Sequence, residues 1–415
     1  MIDGEGIDGE DEGRERGGGE GRLGRAHTIA DLREIAKRRT PAAVFDYTDG
    51  AAERELSMAR NIDAFDRVEL RPRVLRGTSV VDTTTEILGV RSALPFAFAP
   101  TAFTRMMHHD GEAAVARVAQ RAGIPYTLSS VGTTSIEQLA GAAPQGRRWF
   151  QLYVWRDRDS VRDLVTQAHE HGYDTLLLTV DTPVPGGRLR DARNGLAIPP
   201  MLRPRTLLDA VRHPRWWFHL LTSEPLTFGP SAGGGTVAEL TARLFDPTLS
   251  LDDLDWLRQT WPGRLAVKGI LNAADARLAV DHGANAVVVS NHGGRQLDRV
   301  PVPLEVLPVV REAVRGEAEV WVDGGIRSGA DIVAALAMGA DACLVGRAYL
   351  YGLMAGGQAG VQRVVDILRA EIVRTMHLLG VASIADLTPD HAVLRCPCRP
   401  AALPEQLFKN TPGAR

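Results

Sequence analysis

Eight short apolar runs, each ending in polar or glycine residues, constrain this sequence more than any other feature. They are 96–100 (FAFAP), 125–129 (PYTLS), 148–154 (RWFQLYV), 175–181 (TLLLTVD), 265–269 (LAVKG), 286–291 (AVVVSN), 319–325 (EVWVDGG) and 342–347 (ACLVGR). Amphipathic segments such as 111–123, 159–172, 271–283 and 328–339 lie between them. Unbroken apolar runs of this length are what strands buried on both faces of a parallel sheet look like. Alternation of such strands with helices gives either an open doubly wound sheet or a closed barrel. Eight units favour the α/β fold of the (β/α)8 TIM barrel.

The residues that end the runs decide between the two. They are Pro100-Thr101, Ser129, Gln151 and Tyr153, Thr179 and Asp181, Lys268, Ser290-Asn291-His292, Asp323-Gly324-Gly325 and Gly346-Arg347. A barrel brings all these C-terminal ends to one mouth, where active sites lie. An open sheet would scatter them along an edge. No dinucleotide-type glycine motif follows the first run, which disfavours a Rossmann NAD site.

The rest of the chain divides around this unit. Residues 1–26 hold nine glycines, eight carboxylates and four arginines, a composition expected to stay disordered and lacking the apolar stretch of a signal peptide. Ordered chain is expected from Thr28, an N-cap before Ile29, Leu32 and Ile35 at helical spacing. One unit over 27–385 follows, with residues 386–415 as a C-terminal tail. The stretch 183–264 is too long for one connection and reads as a lid or loop insertion after strand four. Within it, RHPRWWFHLL (212–221) interleaves basic and aromatic residues. A lid packed on the barrel or on a neighbouring subunit fits that pattern, as does a peripheral membrane contact through 205–235.

Composition excludes other classes. A net charge of −3 gives no reason to expect nucleic acid. No apolar run reaches the roughly 18 residues of a membrane span. Three cysteines cannot staple 415 residues, which points to a cytoplasmic setting. Cys343 reads as a buried small hydrophobe, and Cys396 and Cys398 as free thiols. His108-His109-Asp110 reads as two turn histidines and a helix-capping aspartate, so no metal is expected.

Three signals carry chemistry. His292 beside Gly293 and Gly294 suits a general base, and Arg295 a carboxylate clamp, although a structural histidine and a surface ion pair give the same letters. Asp323-Gly324-Gly325-Ile326-Arg327 and Gly346-Arg347, on adjacent strands, suit a phosphate, against tight turns with solvated arginines. Lys268 is either a snorkelling rim residue or a fixed charge at a cofactor, and Asp181 can orient His292.

The runs SNHGGRQLD (290–298), VDGGIRSGAD (322–331), LTVDTP (178–183) and FQLYVWRDR (150–158) resemble the FMN-dependent L-2-hydroxy acid oxidases and dehydrogenases. That family includes glycolate oxidase, lactate oxidase, flavocytochrome b2 and mandelate dehydrogenase. Segments 28–57, 188–200 and 213–226 look most like the bacterial respiratory L-lactate dehydrogenases. The resemblance implies oxidation of an L-2-hydroxy acid, L-lactate to pyruvate first, with FMN passing electrons to a quinone, another carrier or oxygen. It implies His292 as base and Asp181 as its partner, with Arg188, Arg295, Tyr47 and Tyr153 on the substrate carboxylate. FMN would be held by Pro100, Thr101, Ala102, Ser129, Gln151, Thr179, Lys268, Ser290 and Asp323. Its phosphate would rest on Gly324, Gly325, Arg327, Gly346 and Arg347. A homotetramer is implied as well. One departure stands out: Val131 occupies a position where the family often has tryptophan, which leaves room for a larger, mandelate-like substrate of an oxygen-using oxidase. A barrel that binds phosphate without redox chemistry is the remaining alternative.

Overall fold

A computed structural model describes residues 21, 23–194, 209, 211–223, 226 and 246–395. Eight parallel strands close into a barrel: β4 (Phe96–Phe98), β5 (Tyr126–Ser129), β6 (Arg148–Leu152), β7 (Thr175–Thr179), β8 (Arg264–Ile270), β9 (Ala286–Val289), β10 (Glu319–Asp323) and β11 (Ala342–Val345). All eight expected runs form these strands, and β11 pairs with β4 to complete the ring. The inward residues are small or flat, with Ala97, Ala266, Ala286 and Ala342 making room for Trp149 and Trp321. These two indoles stack at 4.8 Å and 8° inside the barrel, which is therefore a packed core and not a pore.

The floor of the barrel is closed by a hairpin of β2 (Thr85–Ile87) and β3 (Val90–Ser92). Its buried Ile87 and Leu88 join the interior cluster. Arg147 donates to the Ile87 carbonyl at 2.7 Å, and Glu319 accepts from the Leu88 amide at 2.5 Å.

Helices α1 (Ile29–Arg39), α2 (Ala42–Asp49) and α3 (Leu56–Asp66) precede the barrel. Thr28 caps α1 as expected, in a capping box with Asp31. The ordered chain starts earlier than expected, because Leu23 and Ala26 are buried in the core. Arg363 holds the Ala26 carbonyl at 2.7 Å. The remainder of the N-terminal segment lies outside the described residues.

The other helices are α4 (Thr104–Met107), α5 (Gly111–Ala122), α6 (Ile136–Ala142), α7 (Arg158–Glu170), α8 (Leu189–Asn194), α9 (Pro214–Thr222), α10 (Leu251–Thr260), α11 (Ala273–Asp281), α12 (Pro303–Val314), α13 (Gly329–Ala337) and α14 (Arg347–Leu379). The last is interrupted by non-helical Gly356 and Gly357.

Two boundaries and one helix cap need correction. The insertion does not run to 264, since α10 buries Leu254 and Leu257 and covers the barrel before β8. The tail does not begin at 386: β12 (Ala392–Leu394) pairs antiparallel with β1 (Val68–Leu70), a contact 326 residues apart that tail composition does not announce. Asp110 precedes α5 but makes no side-chain cap. It is paired instead with His109 at 3.2 Å and His108 at 3.5 Å. Cys343 is buried as expected, while Cys396 and Cys398 lie outside the described residues.

Candidate active site

The C-terminal ends of the strands meet in one cavity lined by Tyr47, Pro100, Thr101, Ala102, Ser129, Val131, Tyr153, Thr179, Arg188, Lys268, His292, Arg295, Asp323, Gly324, Gly325, Arg327, Gly346 and Arg347. Of the expected site residues, only Gln151, Asp181 and Ser290 are absent from this lining, and each is bonded to a residue that is present.

His292 follows β9 by three residues, at φ 57°, a left-handed conformation rare for a residue with a side chain. The adjacent short turn fixes it: its amide donates to Ser290 Oγ at 3.0 Å, and Asn291 Oδ1 accepts from the Gly294 amide at 3.1 Å. Its Nδ1 lies 2.9 Å from Asp181 Oδ1 at the end of β7. Asp181 is enclosed, which by itself raises its pKa. The charges of His292 and Lys268 outweigh that and hold the carboxyl below its usual range. A carboxylate there selects the tautomer with the proton on Nδ1, leaving Nε2 to accept. Gly269, at φ 114°, gives Asp181 its space: a Cβ there would lie 2.7 Å from the Asp181 Cβ.

Strand ends β5 to β9 carry a polar belt. Ser129 donates to Gln151 Oε1 at 2.7 Å, and Gln151 Nε2 donates to Thr179 Oγ1 at 3.0 Å. Lys268 Nζ bonds Ser290 Oγ at 2.9 Å and Asp323 Oδ2 at 3.2 Å. Burial opposes charge on this lysine, but Asp323 and Asp181 overcome it and raise its pKa, so the ammonium is kept. Lys268 is thus a fixed buried cation and not a rim residue.

Opposite lies a cationic wall. The guanidinium carbons of Arg188 and Arg295 stand 5.3 Å and 5.0 Å from the Tyr47 ring, which gathers the two cations. Arg295 Nη1 is anchored by the Tyr47 and Gly50 carbonyls at 2.7 and 3.0 Å, leaving its other donors for the cavity. Burial lowers its pKa, with Arg188 adding to the effect. Burial first, then Arg295, pushes Arg347 down to about 9. Such crowding of cations is unfavourable until an anion arrives. The phenol of Tyr153 is held protonated, its pKa raised by burial, then by Asp181 and Tyr47.

Arg347 has a structural role that its residue type does not announce. Its guanidinium binds three carbonyls, Thr48 at 3.0 Å, Gly293 at 2.9 Å and Gly50 at 2.8 Å. It ties the lead-in helices to the His292 turn. Three of its five N–H donors are thus engaged, and its backbone at the N-terminus of α14 is also open to an anion. Gly324 and Gly325 take φ 89° and 93°, and a Cβ on Gly325 would lie 2.3 Å from the Asn61 carbonyl oxygen.

The residue reading passed over several groups. Met107, Phe103 and Thr48 line the cavity, and no pattern in the sequence marks them. Gln296 was findable, being inside the SNHGGRQLD run. It accepts from the Gly186 amide and donates to the Asp181 carbonyl, each at 3.2 Å, pinning the loop after β7.

Comparison with known proteins agrees with this geometry. The profile of the FMN-dependent dehydrogenase family matches residues 36–394. A Mycobacterium tuberculosis protein, provisionally named an L-lactate dehydrogenase, is 56% identical over 371 residues, covering 89% of this chain and 90% of that protein. The L-lactate dehydrogenase of Caulobacter vibrioides is 43% identical over 378 residues, covering 89% and 98%. Among solved structures, the monotopic membrane protein (S)-mandelate dehydrogenase superposes with a TM-score of 0.86 at 38% identity, covering 89% of this chain and all of that one. A mandelate oxidase variant with (S)-mandelic acid gives 0.75 at 39% identity, covering 87% and 96%.

The residues present suit FMN. Asp323 Oδ1 is buried without a partner, an orphan that calls for a donor in the cavity. The Gly324–Gly325 bend lines the cavity with backbone, and the cationic wall suits an anion. Fold, site and family profile agree: the chain is a TIM-barrel enzyme of the FMN-dependent dehydrogenase family.

Proposed function

We propose that the enzyme oxidises an L-2-hydroxy acid to the 2-oxo acid, with L-lactate as substrate and a quinone or other carrier as final electron acceptor. One observation carries this: the His292–Asp181 pair faces the same cavity as Arg188 and Arg295, which bracket Tyr47. A base that can accept a hydroxyl proton at Nε2 and a two-armed carboxylate clamp are the two requirements of a 2-hydroxy acid. The names of the mycobacterial and Caulobacter relatives favour lactate.

FMN would be held by the backbone of Pro100, Thr101 and Ala102 along one side and by Ser129, Gln151, Thr179, Lys268 and Ser290 at the polar belt. Gly324, Gly325, Arg327 and Gly346, with the amide of Arg347, would take its phosphate, while the unpaired Asp323 Oδ1 would accept from a donor group of the cofactor. When bound, the flavin supplies the two-electron acceptor for the α-carbon. The protein does the remainder. Arg188 and Arg295 fix the carboxylate, Tyr153 donates from its protonated phenol, and His292 Nε2 takes the hydroxyl proton. Asp181 offsets the resulting imidazolium charge. Lys268 would supply a fixed positive charge beside the bound cofactor.

Val131 supports a second reading, since a valine at the cavity wall leaves room for an aromatic side chain such as that of mandelate. Anaerobic mixing separates the readings. L-lactate should bleach the flavin of the purified protein faster than (S)-mandelate does. Faster bleaching by mandelate would reverse the order, and bleaching by neither would refute both. Readmitted oxygen should restore the colour slowly, because the acceptor is a carrier.

Peripheral association with a membrane through α9 belongs to the same proposal, as does a homotetramer. No helix among the described residues is long and apolar enough to span a membrane. Val211, Phe218 and Leu221 are exposed beside Arg212 and Arg215, the pattern of an interfacial helix. Trp216 points the other way and donates to the Met106 carbonyl at 3.1 Å, docking the helix on the barrel.

A further inference from the structure

Next to the active site lies a second cavity that the proposed reaction does not use. It is enclosed by the end of α1 (Arg38, Arg39, Thr40), the α4–α5 turn (Arg105, Met107, His108, His109), α9 with the residues before it (Arg212, His213, Arg215, Trp216, His219) and the α14 break (Met354, Gly356). Five arginines line it and no carboxylate does. Two carboxylates beside it among the described residues are already engaged: Asp110 with His108 and His109, and Asp209 with His213 at 3.2 Å. Among the described residues, Arg38 and Arg212 form no hydrogen bond or ion pair, and both are exposed at the rim.

The histidines deepen the same bias. The rings of His108, His109 and His219 stack in a column at 4.3 and 3.9 Å. Burial chiefly drives the pKa of His108 down, to about 4, and His109, His219 and Arg39 oppose its protonation. Burial lowers His109 as well, so these two rings are held toward the neutral form and supply ring nitrogens rather than charge. The nine-residue helix α9 opens at this cavity, and its first turn is uncapped by any side chain. His108, His109 and Asp110 also bring one ligand atom each within 4.8 Å of one another, the reach of a metal ion. Five guanidinium groups around them oppose a cation and favour an anion.

Met107, Trp216, Leu220, Leu226 and Met354 give this cavity an apolar bed below its cationic rim. We propose that it is a binding site for a phosphate-type anion, one whose oxygens meet Arg38, Arg212 and the α9 N-terminus while any attached carbon chain lies on that bed. The active-site cavity is the neighbour through one residue. Met107 lines both, and its sulfur accepts from Thr48 Oγ1 at 3.0 Å. The site does not depend on which hydroxy acid is oxidised.

The same chemistry is offered by a lipid headgroup and by free phosphate, and calorimetry on the FMN-loaded enzyme separates them. Inorganic phosphate is one probe and water-soluble dihexanoyl phosphatidylglycerol the other. Saturable binding of at least one is expected, weakened about tenfold or more in the Arg38→Ala/Arg212→Ala double variant. Arg162→Ala, which removes an equally exposed arginine on α7, should leave it unchanged. Binding of the lipid alone assigns a headgroup, and equal binding of both assigns free phosphate. Neither probe binding, or binding that ignores the double variant, would overturn the proposal. Unchanged flavin content and turnover in the double variant show that it is folded.

Discussion

His292 concentrates the chemistry of this molecule because three constraints meet in it. Its backbone is left-handed, its amide is held by Ser290, and its Nδ1 is held by Asp181. His292→Ala should keep FMN yet slow flavin reduction by L-lactate by roughly 10² to 10⁴, the usual worth of a placed base. Stopped-flow bleaching under nitrogen reads this directly, and near-normal reduction would remove His292 from the mechanism. Asp181→Asn keeps the shape but lets the ring adopt the wrong tautomer, so it too should slow reduction without releasing FMN. Arg347 shows the limit of reasoning from residue type. An arginine beside a glycine at a barrel mouth suggests a phosphate ligand, yet its donors hold the carbonyls of Thr48, Gly50 and Gly293. Arg347→Lys gathers its donors on one nitrogen and cannot span three carbonyls that Arg347 meets separately from Nε, Nη1 and Nη2. It should therefore disturb the His292 turn and lower turnover more than FMN affinity. The opposite ranking, in a flavin titration beside steady-state kinetics, would return Arg347 to the phosphate.

At the scale of elements, the turns after the strands hold the site. Gly325 joins β10 to α13 at φ 93°, and an added methyl would strike the Asn61 carbonyl on α3 at 2.3 Å. Asn61 and Asn291 exchange two hydrogen bonds of 2.8 Å, so that clash would reach the His292 turn. Gly325→Ala should cost at least about 2 kcal/mol and weaken FMN binding, read by thermal melting with and without added FMN. An unchanged melting temperature would show that the bend relaxes. These turns were legible because glycine and chemistry-bearing residues follow strands whose apolar runs are unbroken. The eight strands were legible for the same reason, with every residue of β4, β5, β7, β9 and β11 buried. What escaped notice follows another pattern. The β2–β3 floor and the β1–β12 pair are three-residue strands with partly exposed faces, too short for a period to register. Met107 and Phe103 reach the cavity through the geometry of the α4 turn, where Phe103 sits at φ 54° for a reason local sequence does not state.

Across the whole molecule, the lead-in helices are locked to the barrel through Asp49, and this junction should govern acid stability. Arg33 grips its two oxygens at 2.6 and 2.9 Å, Arg190 adds a bond at 3.1 Å, and the Tyr351 hydroxyl donates at 2.9 Å. One carboxylate thereby joins α1, α2, α8 and α14. Burial raises its pKa, but Arg33, Tyr351 and Arg190 together outweigh it and leave the group below its ordinary 3.8. Asp181 is lowered too, by His292 and Lys268 against its burial. A carboxyl whose folded pKa is depressed stabilises the fold fully above its unfolded pKa. That contribution is lost as pH falls through the lower folded value. The urea midpoint should therefore be insensitive to these two groups from neutral pH down to about 5, then fall steeply below about 4. Arg33 and Arg190 are each about one-third exposed, 36% and 35%, so solvent screens part of their attraction. Asp49→Asn should then cost about 2 kcal/mol at pH 7, less than a fully buried pair would. It should also remove part of the acid-induced loss, because the asparagine has no proton to take up. The experiment is a set of urea titrations of both proteins at pH 7, 5 and 3.5, with FMN in excess throughout. A variant that loses as much stability between pH 5 and 3.5 as the parent would place the acid sensitivity elsewhere, with Asp181 the next carboxylate to replace.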